Sequence, residues 1–152
     1  MEFLYALATN YMLICAVAGY FIAQVLKILI GLIRDHKLDM RLMFASGGMP
    51  SSHASTVAAL CISCARLHGV GSPLFAVTFI LASIVMYDAA GVRRAAGEHA
   101  KILNQLMKGL TSRDHHLAEA SLKELIGHTP FQVAVGALLG FLVAFTLCSL
   151  MK

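Results

Sequence analysis

Apolar residues in this chain gather into long runs, and polar residues are confined mainly to the connections between them. Four runs, at about residues 4–34, 50–67, 73–90 and 130–151, approach or exceed the roughly 20 residues that a helix needs to cross a hydrocarbon core of about 30 Å. The 50–67 run is short and contains several small polar residues, so its neighbours are expected to shield it from lipid. A polar insertion occupies residues 91–127. Within it, Ala95, Ala96, His99, Leu103, Leu106 and Leu110 fall near one helical face, while Arg93, Arg94, Glu98, Lys101 and Lys108 are spread over the rest. This is the pattern of an amphipathic helix lying on a membrane surface. A second polar helix is expected at about residues 114–126, ended by Gly127. The pattern as a whole predicts an all-α polytopic integral membrane bundle. It would hold about four transmembrane helices and one or two amphipathic helices on the cytoplasmic side, in a single domain over 1–152.

Composition strengthens that reading. The chain has 152 residues, of which 59% are hydrophobic and 13% charged, with a mean hydropathy of +0.77. A soluble domain could not keep a hydrated surface on that composition. The first apolar run has no basic flank before it and no small-residue cleavage site followed by a soluble body, so it is expected to be retained as a membrane helix. The four cysteines, Cys15, Cys61, Cys64 and Cys148, all lie in apolar runs, where a thiol packs as a small hydrophobe. Cys61-x-x-Cys64 lacks the second ligand pair that a zinc site requires.

Charge sets orientation. The net charge of +4 is modest, and the basic residues form no stripe with interleaved aromatics, which argues against a nucleic-acid partner. Lys27, Arg34, Lys37 and Arg41 follow the first run, and Arg93, Arg94, Lys101, Lys108, Arg113 and Lys123 follow the third. The opposite ends carry little beyond Arg66 and Lys152. Short Lys/Arg-rich loops stay in the cytoplasm, so both termini are expected to face outward. The starts of the second and fourth runs and the end of the third then share the cytoplasmic face of a membrane, expected to be the bacterial inner membrane.

The candidate chemistry lies on that face. Gly47-Gly48-Met49-Pro50-Ser51-Ser52-His53 leads into the second run with the residue types of a helix start. Its free amides and dipole would attract an anion, and His53 could donate or accept a proton, although the serines could equally serve as plain helix caps. Gly127-His128-Thr129-Pro130-Phe131-Gln132 has the same character, with Thr129 as cap, Pro130 at the first helical position and Gln132 placed for a capping box. Lys27 and Arg34 stand seven residues apart, on one side of the first helix. Lys27 is costly in a membrane unless it snorkels, pairs with an acid such as Asp88, or meets an anion. Arg93 and Arg94 can clamp phosphate or anchor the chain at the interface. Gly136-x-x-x-Gly140 and the small residues of 89–97 permit close helix contact, within one subunit or in a homo-oligomer.

These residues together resemble the divergent branch of the type-2 phosphatidic acid phosphatase superfamily, which is related to acid phosphatases and vanadium-dependent haloperoxidases. The resemblance covers most of the chain and rests on Ser46-Gly-Gly-Met-Pro-Ser-Ser-His53, Tyr87-Asp-Ala-Ala-Gly-Val-Arg-Arg94 and Gly127-His-Thr-Pro130. It implies that Lys27 and Arg34 form the first phosphate-binding motif, and that Pro50, Ser51 and His53 form the second, with Ser52 in place of a glycine. His128 would be the nucleophile of the third. In the superfamily this last residue forms a phosphohistidine, and the second-motif histidine protonates the leaving group. The third motif departs here: Gln132 stands where an Asp orients the nucleophile, and Leu122 where an Arg binds phosphate. The resemblance implies metal-independent hydrolysis of a membrane lipid phosphate or diphosphate. His128 and His53 would be catalytic, Lys27, Arg34, Ser51, Ser52, Arg93 and Arg94 would bind phosphate, and Asp88, Gly47, Gly48 and Gln132 would support them. It calls for no cofactor and no metal. Loss of the Asp and Arg leaves two alternatives open, a non-catalytic module that binds or moves an anionic lipid, and a structural membrane protein.

Overall fold

A computed structural model describes residues 1–36, 48–111 and 128–150, with only the backbone described at 35, 92–94 and 107–111. Every regular element among them is a helix: α1 (Glu2–Ala8), α2 (Tyr11–Asp35), α3 (Ser52–His68), α4 (Pro73–Ala90), α5 (Val92–Thr111) and α6 (Pro130–Leu150).

The first apolar run is expected to be one helix and is instead two. Asn10 interrupts it: its side chain accepts from the Leu13 amide at 3.1 Å and caps α2, while Thr9 Oγ1 donates to the Tyr5 carbonyl at 2.8 Å and closes α1. A short polar side chain that offers the backbone a local partner breaks a helix even within greasy sequence. The expected helix at about 114–126 lies outside the described residues. Ser72 caps α4 by accepting from the Phe75 amide at 3.1 Å, with Pro73 at the first helical position. A single residue, Gly91, separates α4 from α5. On α5, Ile102, Leu103 and Leu106 are exposed, in keeping with the expected amphipathic pattern.

Among the described residues, three segments are long and apolar enough to cross a membrane: Tyr11–Arg34, Pro73–Leu106, which joins α4 to much of α5, and Pro130–Leu150. The expected count of four is therefore not reproduced. α3, at 17 residues and with much lower apolarity, is an inner helix packed against α2, α4 and α6. Its small residues explain the position. A Cβ added at Gly136 would collide with the Ser51 carbonyl oxygen, and one at Gly140 with that of Ser55, so α6 meets the α3 backbone directly. On the other side, a Cβ at Gly19 would lie 3.1 Å from Ala59 Cβ, and Ser55 Oγ donates to the Gly19 carbonyl at 2.9 Å. The Gly136-x-x-x-Gly140 face thus packs within the subunit.

The two faces of α2 show the solvent on each side. Cys15, Gly19, Ala23, Lys27 and Gly31, four residues apart, are buried. Val17, Phe21, Val25, Leu29 and Ile33, the row two positions on, are exposed. Large apolar residues outside and small ones inside invert the soluble pattern, as expected where lipid is the solvent and close helix contact holds the bundle. The protein is an integral membrane protein.

Candidate functional site

The ends of four helices converge where α3 and α6 begin. Pro50 and Ser51 are fully buried there, and the Ser51 amide donates to the Gln132 carbonyl at 3.2 Å, tying the start of α3 to the first turn of α6. Ser51 Oγ accepts from the Ala54 amide at 3.4 Å, so the cap reading of this serine holds. Below the junction, Ala54 of α3, Ala89 of α4 and Val133 of α6 form one apolar cluster. Asp88, half-buried, immediately precedes Ala89, which brings the end of α4 to the same place.

α2 contributes Lys27, which is only 2% exposed. A Cβ added at Gly48 would lie 3.3 Å from Lys27 Cγ and Cδ, so the lysine stem runs against the backbone that leads into α3. Gly48 also has φ +93°, a left-handed conformation that side chains rarely adopt. Glycine is thus required there by both the backbone and the lysine. Arg34, two turns further on, is exposed in the last turn of α2, so the two cations of the first motif are not equivalent: one enters the bundle and the other stays at its rim.

The segment leading into α6 contributes His128, 1% exposed and one of the largest fully buried side chains. Its position follows from the capping box. Gln132 donates its amide to Thr129 Oγ1 at 3.3 Å, and Gln132 Oε1 accepts from the Thr129 amide at 3.1 Å. The same Oε1 lies 3.3 Å from His128 Nδ1. His53, half-buried in the first turn of α3, faces His128 with ring centroids 6.5 Å apart and planes at 62°. That gap is too wide for a direct hydrogen bond between the rings.

The structure therefore brings together Lys27, Gly48, Ser51, Ser52, His53, His128 and Gln132, with Asp88 nearby. Arg93 and Arg94 belong to the first turn of α5, without a described side chain, and Gly47 and Leu122 lie outside the described residues. Two helix starts meet here, each a source of positive potential, and the buried Lys27 stem runs against the backbone that leads into one of them. Among the described residues, no group of three or more His, Cys, Asp or Glu side chains is placed to hold a metal ion.

Sequence reasoning passed over Gln24. It is 3% exposed, sits one turn before Lys27, and donates through Nε2 to the Tyr20 hydroxyl at 3.0 Å. A glutamine inside the apolar run was the available signal, since a buried amide in a membrane helix is expensive unless used.

No solved structure matches the chain. The uncharacterized membrane protein YuiD of Bacillus subtilis (strain 168) is 42% identical over 151 residues, covering 93% of this chain and 96% of the relative. The profile of the divergent PAP2 family matches residues 8–143, a span that contains Lys27, the Pro50–His53 helix start, Asp88 and the His128–Gln132 capping box. The chain belongs to the divergent PAP2 family.

Proposed function

We propose that this protein hydrolyses a phosphate ester or diphosphate carried by a membrane lipid, through a phosphohistidine at His128. The observation that carries the reading is the pair of imidazoles 6.5 Å apart at the junction of two helix starts, one of which is approached through Gly48, against the stem of the buried Lys27. Phosphate recognition supplies a use for a lysine and a histidine buried in a lipid-facing bundle. In this scheme His128 attacks phosphorus, forming a P–N bond as the P–O bond to the leaving group breaks, and His53 protonates the departing oxygen. Water, deprotonated by His53, then attacks phosphorus and releases His128. Lys27 and the amides of the helix starts hold the equatorial oxygens through both steps. Ser52 lies in the first turn of α3 with its amide, Arg34 collects the anion at the rim, and Arg93 and Arg94 are the further phosphate-binding candidates. The Lys/Arg distribution supports a cytoplasmic opening, and the membrane proposed is a bacterial inner membrane.

A second reading has a specific observation in its favour. Gln132 is neutral and cannot stabilise an imidazolium as a carboxylate would, which suits a pocket that binds an anionic lipid without turning it over. Phosphate release by the purified protein in detergent, without added metal and across a panel of lipid phosphates and diphosphates, separates the two. Hydrolysis predicts release that falls to background in His128→Ala and drops by about 10²- to 10⁴-fold in His53→Ala. Saturable retention of a lipid phosphate with no release by the wild type assigns the protein to the binding module.

A further inference from the structure

The capping box at the start of α6 fixes the orientation of an amide, and through it the state of a histidine. A backbone N–H only donates and an amide oxygen only accepts. The 3.1 Å bond from the Thr129 amide therefore requires the oxygen end of the Gln132 side chain at that position. That oxygen is also the atom 3.3 Å from His128 Nδ1. Because Oε1 offers no proton, Nδ1 must carry one, and in the neutral ring the lone pair is left on Nε2. Which nitrogen of a histidine is protonated is set by the hydrogen bond the other one makes, and here the setting partner is locked by a helix cap.

We propose that Gln132 is a positioning residue that holds His128 as the Nδ1–H tautomer and makes Nε2 the reactive nitrogen, with no negative charge involved. Its catalytic consequence rests on the hydrolase reading, but the tautomer itself does not. The same side chain starts the helix and aims the nucleophile, so the geometry of attack is built into the first turn of α6. A carboxylate at this distance would add charge and raise the basicity of the ring. The amide supplies orientation alone and leaves His128 a neutral imidazole, bound to phosphate by its lone pair instead of by charge.

The test uses the full chain in detergent with ¹⁵N-labelled histidine, at a pH above the usual imidazole range of about 6.5. The ring signals of His128 are identified by their loss in His128→Ala, and two-bond N–H correlations report which nitrogen is protonated. The wild type is expected to show a protonated Nδ1 and a bare Nε2. Gln132→Ala removes the acceptor and is expected to shift the ring toward the Nε2–H form that neutral histidine prefers in water. Thr129→Ala removes the other half of the capping box but keeps the backbone donor, so it should retain Nδ1–H even though the helix start is weaker. If Gln132 acted only as a cap, the two variants would behave alike.

Under the hydrolase reading, phosphate release falls by about 10²- to 10⁴-fold in Gln132→Ala, mainly in kcat, and is largely regained in Gln132→Glu, which keeps both the cap and an acceptor. An Nε2–H tautomer in the wild type, or an unchanged Nδ1–H tautomer in Gln132→Ala, overturns the proposal. Protonated Nδ1 with no phosphate released from any lipid supports the tautomer assignment and overturns the hydrolase reading instead.

Discussion

The start and the middle of α3 are packed by the same device and hold opposite contents. At its middle, Ala59 meets Cys15, Ala144 and Cys148 in a cluster of small apolar side chains, with Cys15 Sγ and Cys148 Sγ 3.9 Å apart. At its start, the same three helices enclose Lys27, Ser51, Ser52 and His128. Gly19, Gly136 and Gly140 bring the backbones together between these two regions. Small residues alone are therefore enough to hold the bundle, and the first region shows what that costs in sequence: alanine and cysteine. The polar end differs in carrying ionisable side chains, and the proposed phosphate chemistry gives them a use beyond packing.

This contrast yields predictions of decreasing size. Lys27→Met keeps the stem and removes the charge. It is expected to reduce phosphate release about 10²- to 10³-fold, roughly 3–4 kcal/mol of transition-state stabilisation, while thermal unfolding in detergent is unchanged or moves upward. A large loss of stability would show instead that the lysine serves the fold. Gly140→Val is the reverse case. Its new side chain meets the Ser55 backbone, so the bundle should lose about 1–3 kcal/mol or more, read as a lower unfolding temperature, with activity falling only as folded protein is lost. Asn10→Ala, at the cap of α2 and far from the polar junction, should cost about 1 kcal/mol and leave kcat unaltered.

Much of the fold was legible because membrane helices announce themselves by run length, and helix starts by local residue types. The Thr129–Gln132 capping box, the Pro50–His53 helix start and the inward placement of the Ser-rich second run could be read from neighbouring residues. The break at Thr9–Asn10 was hidden by the greasiness around it, since hydropathy averages over a single polar cap. Lys27 and Arg34 look alike at a spacing of seven. Only the helix against which each one sits separates the buried cation from the exposed one, and that is a long-range property. The same holds for Gly136 and Gly140, whose pattern permits contact within or between subunits until α3 is placed against them. At Gln132, the residue type suggested a lost charge, while the geometry reveals a retained acceptor. A motif records which atoms are missing, and only the three-dimensional arrangement shows which part of their work is still done.

The central claim is that His128 carries the phosphoryl group, and the most direct measurement is transfer of radiolabelled phosphate from a lipid phosphate or diphosphate to the protein. It is best made in His53→Ala, where loss of the proton-transferring partner slows release. The account predicts a label that is labile in acid, stable in base and mapped to His128, and that disappears when His128→Ala is added. Label on another residue, or turnover by the wild type that persists without His128, would contradict it.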